Sequence, residues 1–402
     1  MRLATTFGVV AACVVAAGAG IAISCKRADD ARTDGPTANG FDKNALLKAM
    51  GQCTLDTYKE MSGAVSTLDA ETKRAESDPT ALPAAREAWK KAMAVWERGE
   101  LFTYGPAGVS GGNGTPGGKD LRDPIYAWPL FSRCLVDQEI VSQSYATPTF
   151  ANGLVSTRTL ATLEYLLFYD GTENGCPADN AINTQGTWKA IPKADLDKRR
   201  AAYARVVASD VVGRVAQLVD AWEPGRGGFF DVVANAGKND VYKSPQQAFN
   251  AISDALFYVD IPIKTMKVGR PAGLTPECTA APCLEMVESP FAHASKDHLR
   301  QNLVGFEKLM RGCQNGEGLG LDDYLVAVGA EATAKKMADA IVTARTALEG
   351  LKEPTFEEDL QKNAAGVKAL FEAMRTIINL MKADIASVLD LELPKAVQGD
   401  ND

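Results

Sequence analysis

Glu164 stands in LATLEYLLF, residues 160–168, at helical spacing from Leu160, Leu163 and Leu167. A carboxylate sharing a face with three leucines points into packed surface. It is costly there unless a cation, a metal or hydrogen-bond donors meet it. Two readings follow. Either Glu164 faces a groove and takes a ligand, or it closes on an Arg or Lys from another part of the chain.

The chain has two histidines, His293 and His298, both in PFAHASKDHLR. If one helix runs through them, His293 and Asp297 lie four residues apart on one face and His298 points elsewhere. His293 and Asp297 then form a two-ligand metal candidate, against the alternative of a solvated or capping histidine. Ser289-Pro290 just upstream has the pattern of a helix start, with the serine oxygen accepting from backbone N–H groups. Lys267 and Arg270, in KVGRPAG, follow a predicted helix end. They can orient an anionic ligand, pair with Glu164 or Glu288, or serve as plain loop cations. Serine-hydrolase chemistry has no support, because no Ser–His–Asp set follows from the spacing.

Eight cysteines divide by context. Cys25 ends an apolar run, IAISC, that is preceded by Arg2 and by an uncharged stretch over residues 3–24. This resembles a bacterial lipoprotein signal, in which the thiol is lipidated and the preceding segment removed. Residues 1–24 are then a signal and 25–40, rich in charge, Gly, Pro, Thr and Ala, a lipid-anchored flexible stalk. The expected location is the periplasm-facing or outer surface of a membrane. Cys13 leaves with the signal, and Cys53, Cys134, Cys176, Cys278, Cys283 and Cys313 remain. An even count in an exported chain favours disulfides over metal, and the sequence has no Cys-x-x-Cys pair. Cys278 and Cys283 can close a small ring; the other four allow three pairings.

The formal net charge is −8, or −9 once residues 1–24 are removed, with no basic block interleaved with aromatics. No electrostatic footprint for nucleic acid is present. The loop at 107–119 has six glycines but lacks the Lys-Ser/Thr ending of a phosphate loop. Elsewhere apolar residues recur at three- and four-residue steps, as in Leu46, Leu47, Met50, Leu55, Tyr58, Met61, Val65 and Leu68. Helices are predicted at about 41–75, 83–104, 129–145, 154–169, 193–222, 245–265, 290–310, 322–348 and 356–389. The fold class is all-α: two packed helical bundles, spanning 41–235 and 236–395 and joined near residues 223–242, with the Pro-Gly-rich stretch at 223–228 as the boundary candidate.

Several pieces together resemble the imelysin-like proteins, the M75 peptidase family. They are residues 88–106 (AWKKAMAVWERGELFTYGP), Trp128-Pro129-Leu130, residues 160–168, residues 252–256 (ISDAL), residues 267–273 (KVGRPAG), Glu288-Ser289 and residues 320–323 (GLDD). The resemblance implies an all-helical two-domain envelope protein with a groove between the domains and an association with iron uptake. It places the glutamate of the family's Gly-x-His-x-x-Glu motif at Glu164, but the His position is Ala161 and the Gly position Thr159. The imidazole that would hold a metal beside that glutamate is missing, which weakens a zinc-peptidase assignment. Glu288, Ser289, Ser295 and Asp297 match the family's second-half motif.

The expected function is therefore a non-peptidase ligand- or metal-binding lipoprotein of the envelope. Its candidate ligands are iron or another divalent or trivalent metal, and its candidate partners are the membrane and iron-uptake envelope proteins. The groove would carry Glu164 from one side and Lys267, Glu288 or His293 from the other. The alternatives are a metallopeptidase in which His293 replaces the lost histidine, or a partner-binding module without ligand.

Overall fold

The computed structural model describes residues 35–36, 40–112, 114–225, 227–314 and 316–394. Cys25 and nearly all of the expected stalk lie outside them. The described residues hold no strand, only an isolated bridge between Gln314 and Glu317.

The first bundle is built on α1 (Lys43–Ser77), whose first turn is closed by the Asp42 side chain accepting from the Ala45 N–H. Around α1 pack α2 (Leu82–Gly99) and α6 (Lys193–Trp222), with α4 (Leu160–Phe168) against both α2 and α6. The shorter α3 (Arg133–Ser142), α5 (Ala181–Thr184) and α7 (Phe229–Ala234) close its edges. In the second half α8 (Pro245–Leu256) runs through a 3-10 turn into a π-helix, Asp260–Gly269. Then come α9 (Ser295–Arg311), α10 (Leu321–Ala327), α11 (Glu331–Glu349), α12 (Phe356–Lys362) and α13 (Ala364–Asn379), with α14 (Ala386–Val388) after a second π-helical stretch. The π-helix and α11 pack on α13, and α9 joins α11 to the first bundle by lying along α2.

That crossing sets the site. A side-chain carbon at Gly305 of α9 would fall 2.2 Å from the Arg98 carbonyl oxygen of α2, so only glycine permits this approach. Once the backbones are this close, whatever α2 and α9 turn toward each other is sealed from water.

Several predicted helices are shorter than their apolar pattern. The helix expected over 83–104 ends at Gly99, and the one expected over 290–310 begins at Ser295. The 322–348 pattern is cut at Gly329, which has φ +82°. The 356–389 pattern is cut at Asn363, whose side chain caps the next helix by accepting from the Gly366 N–H.

Three disulfides pin the chain: Cys53–Cys313, Cys134–Cys176 and Cys278–Cys283. The first spans 260 residues and ties α1 to the segment after α9. Chain-entropy reasoning assigns such a loop closure at most about 5.6 kcal/mol.

Candidate functional site

Where α2, the π-helix and α9 meet, six polar residues are buried together. They are Glu97 and Glu100 from the end of α2, Lys267 from the π-helix, Glu288 from the segment before α9, and His298 and Asn302 from α9. None is more than 2% exposed. The Lys267 ammonium is the hub, with Glu97 Oε2 at 2.5 Å, Glu100 Oε2 at 2.7 Å and Glu288 Oε1 at 3.0 Å. It also donates to Asn302 Oδ1 at 3.1 Å. Arg122 takes the other oxygen of Glu100 at 2.8 Å, and the Tyr126 hydroxyl donates to Glu288 Oε1 at 2.8 Å.

The free oxygens of two of these carboxylates turn to a second point. His298 Nδ1 lies 3.4 Å from Glu97 Oε1 and 3.2 Å from Glu288 Oε2. None of these three atoms makes a hydrogen bond of acceptable geometry, and neither does His298 Nε2. The three donors lie within 4.8 Å of one another. Two oxygens and one imidazole nitrogen, buried, unsatisfied and converging, are a donor set that suits a divalent transition metal.

Burial, then the neighbouring Glu100 and Glu288 charges, raise the Glu97 pKa to about 8. For His298, burial alone would pull the pKa down, but Glu97 and Glu288 outweigh it and push it up to about 9. Burial would likewise raise Glu100 and Glu288, yet Lys267, with Arg122 at the first and His298 at the second, holds both below the usual carboxylate range. Lys267 is raised well above its ordinary value by the three carboxylates, against its own desolvation. At pH 7 the point between Glu97 and His298 is therefore occupied by protons. A metal there would exchange with them.

Glu164 does not join this cluster. Its Oε1 accepts from the Ser289 hydroxyl at 3.0 Å and from the backbone N–H groups of Phe291 and Ala292, both at 2.9 Å. It fastens the turn that carries Glu288. Burial raises its pKa to about 7, against the opposing pull of these bonds and of His298.

The sequence candidates therefore separate. Lys267 and Glu288 meet at 3.0 Å, one of the alternatives the sequence left open, and Glu164 touches the residue next to Glu288. Ser289 does not start a helix: its φ is +57°, and its hydroxyl serves Glu164. His293 and Asp297 do not share a helical face, because His293 lies before α9 with φ +52°. Both are exposed, His293 pairing with Glu357 at 2.9 Å and Asp297 with Arg300. His298, expected to point elsewhere, is the buried imidazole. Arg270 pairs with Glu277 at 3.3 Å, outside the cluster. Glu97, Glu100 and Asn302 were not anticipated. Glu97 and Glu100 at i, i+3 beside Trp96 and Phe102, and His298 and Asn302 at i, i+4, are the patterns that point to them.

Trp128 covers the cluster, with its ring centroid 5.9 Å from the Lys267 ammonium. Outside it lies a cavity of about 590 Å3, lined by apolar residues that include Trp128, Phe131, Met266, Val287 and Phe291 and by the charged Arg133, Arg270, Glu277 and Glu285. Met266 and Val287 are the chain neighbours of Lys267 and Glu288, so the cavity reaches the backbone that holds them.

The helical fold of this chain has known counterparts. The imelysin family model (peptidase family M75) matches residues 54–382, and the chain belongs to that family. Among solved structures it is similar to one provisionally named the iron-regulated protein A precursor of Parabacteroides distasonis ATCC 8503. The TM-score is 0.66 at 16% identity, covering 89% of this chain and 97% of that one. It is also similar to an imelysin-like protein of Psychrobacter arcticum 273-4, with TM-score 0.59 at 16% identity, covering 90% and 99%. A comparison with curated proteins finds no match.

Proposed function

We propose that this imelysin-family protein is an envelope metal-binding protein that takes one divalent cation, ferrous iron foremost, between Glu97, Glu288 and His298. The observation that carries the reading is the convergence of Glu97 Oε1, Glu288 Oε2 and His298 Nδ1, all buried and without hydrogen-bond partners. A mixed carboxylate and imidazole set suits ferrous iron, manganese or zinc, and the six described cysteines are closed in disulfides and offer no thiolate. The bound ion would supply positive charge to a pair of carboxylates; Lys267 already neutralises their other oxygens.

Peptidase activity is not part of this reading. Ala161 occupies the histidine position of the family motif, and the donors are sealed, whereas a catalytic metal keeps a position open to substrate. Export and attachment through Cys25 fit the three disulfides, and among the described residues no helix is long and apolar enough to cross a membrane. The Parabacteroides neighbour is named as iron-regulated, and iron-uptake proteins of the envelope are the partners this reading would test first.

The test is anaerobic calorimetry with ferrous, manganous and zinc ions. One site per chain is expected, lost in His298→Ala while the helical circular dichroism is retained. Absence of binding for all three ions would leave the cluster as a structural ion-pair network. Chelator-sensitive cleavage in a peptide screen would restore the peptidase assignment.

A further inference from the structure

Lys308 of α9 is a half-buried ammonium that touches a disulfide instead of a carboxylate. Its Nζ donates to the Cys313 carbonyl at 3.0 Å and to Cys313 Sγ at 3.5 Å. Among the described residues no carboxylate forms an ion pair with it: Glu60 is held by Arg98, and Asp56 accepts from Gln52 at 2.8 Å. Burial, then the Arg98 charge, lowers the Lys308 pKa, against the pull of Glu60 and Asp56. A cation in this position is stabilised by any negative charge that forms beside it. The sulfur it meets belongs to Cys53–Cys313, the link between α1 and the segment after α9. A disulfide sulfur is neutral, but reduction turns it into a thiol whose thiolate form a neighbouring ammonium favours. Among the described residues neither of the other two disulfides has a cation at hydrogen-bond distance from sulfur. Cys134 Sγ accepts from the amides of Gln138 at 3.3 Å and Asn180 at 3.7 Å, and Cys283 Sγ lies 3.8 Å from the Ala280 carbonyl oxygen.

Cys53 is 2% exposed and Cys313 half-buried, so Cys313 is the sulfur that an incoming thiolate meets. A cavity of about 340 Å3 borders the pair, and its wall also carries Asp56 and Glu317, which disfavour an acidic reductant. We propose that Cys53–Cys313 is a redox-sensitive clasp, opened by a dithiol reductant of the Cys-x-x-Cys class while the rest of the fold stays intact. One reductant thiolate attacks Cys313 Sγ, forming a mixed disulfide and releasing Cys53 as a thiolate that takes up a proton. The second reductant thiol, once deprotonated, attacks the reductant's own sulfur in that mixed disulfide, and Cys313 leaves as a thiolate beside Lys308. Two electrons thus pass to the Cys53–Cys313 bond from the dithiol, which closes to its own disulfide. Opening the clasp frees the end of α9, the helix that supplies His298 and Asn302 to the buried cluster, from α1. The exchange itself involves none of Glu97, Glu288 or His298 and stands whether or not the metal reading holds.

Full-length protein is equilibrated at pH 8 with graded ratios of reduced to oxidised dithiothreitol, in wild type, Lys308→Met and Lys308→Arg. Alkylation, digestion and mass spectrometry then read each disulfide separately, and circular dichroism follows the fold in every sample. Cys53–Cys313 is expected to open at the lowest ratio of the three, with the helical signal retained. K308M should need a ratio about threefold higher, the change at pH 8 for one unit of thiol pKa below the ordinary value of about 8.5. The other two disulfides should not move, and K308R, which keeps a cation, should restore most of the difference. Opening of Cys53–Cys313 after either of the others, opening in folded K308M at the wild-type ratio, or opening only as the helical signal is lost would each overturn the proposal.

Discussion

Lys267→Met isolates what the ammonium does. In the native protein one buried cation holds Glu97, Glu100 and Glu288 at 2.5, 2.7 and 3.0 Å. Methionine fills similar volume but leaves those carboxylates with only Arg122 and His298 as nearby positive charges. Breaking a buried pair from one side costs about 3–5 kcal/mol, because the remaining charge stays desolvated. The described body has about 350 residues, and at about 2.1 cal/mol/K of unfolding entropy each that loss lowers Tm by about 4–7 °C.

The pH dependence carries the sign. In wild type, Glu100 and Glu288 have depressed pKa values, so their contribution is present above the unfolded value near 4.5 and is lost as pH falls below it. Without Lys267, burial dominates and raises them, so ionising them works against folding as pH climbs from about 4.5 toward neutrality. The deficit of K267M should therefore be present at pH 4.5 and grow toward pH 7.5. Urea unfolding at both pH values measures it. A deficit under 1 kcal/mol at pH 7.5, or one equal at both, would refute the reasoning.

Three further outcomes are expected. Glu164→Ala strands the N–H groups of Phe291 and Ala292 and should cost about 2–4 kcal/mol in urea unfolding, whereas Glu164→Gln keeps an acceptor oxygen and should stay within about 1 kcal/mol. Because burial raises the Glu164 pKa to about 7, its protonated form favours the fold, and this contribution fades as pH rises from about 4.5 through 7; the E164Q melting curve should lack that fade. Replacing Cys53 and Cys313 together by serine should cost about 2–5 kcal/mol, read as a lowered Tm with circular dichroism retained at 25 °C.

The long helices were open to sequence reading because their apolar residues keep helical phase over many turns. Leu46, Met50, Leu68 and their neighbours in α1 are buried as the pattern requires. The site was only half legible. Lys267 and Glu288 stood out, but Glu97 and Glu100 sit in WERGEL, where alternating charges read as a solvated face. They are buried only because Gly305 lets α9 approach, a fact about a helix 200 residues away. His298 was misplaced for a local reason. The stretch from Pro290 carries residues compatible with a helix, yet Ser289 and His293 adopt left-handed φ values, 57° and 52°, so the turn resists reading from residue type. Glu164 holds that turn shut, and without α4 in view its helical continuation to residue 290 looks natural. The ring Cys278–Cys283 was visible from spacing; the pairing of Cys53 with Cys313 depends on the bundle crossing.

The most direct test is anomalous diffraction from crystals loaded anaerobically with ferrous iron. The account predicts one peak between Glu97 Oε1, Glu288 Oε2 and His298 Nδ1, with Lys267 still on the opposite carboxylate oxygens. Loading should release up to two protons per ion at pH 7, those held by Glu97 and His298. A stoichiometric ion located elsewhere, or no peak with the cluster unchanged, would contradict it.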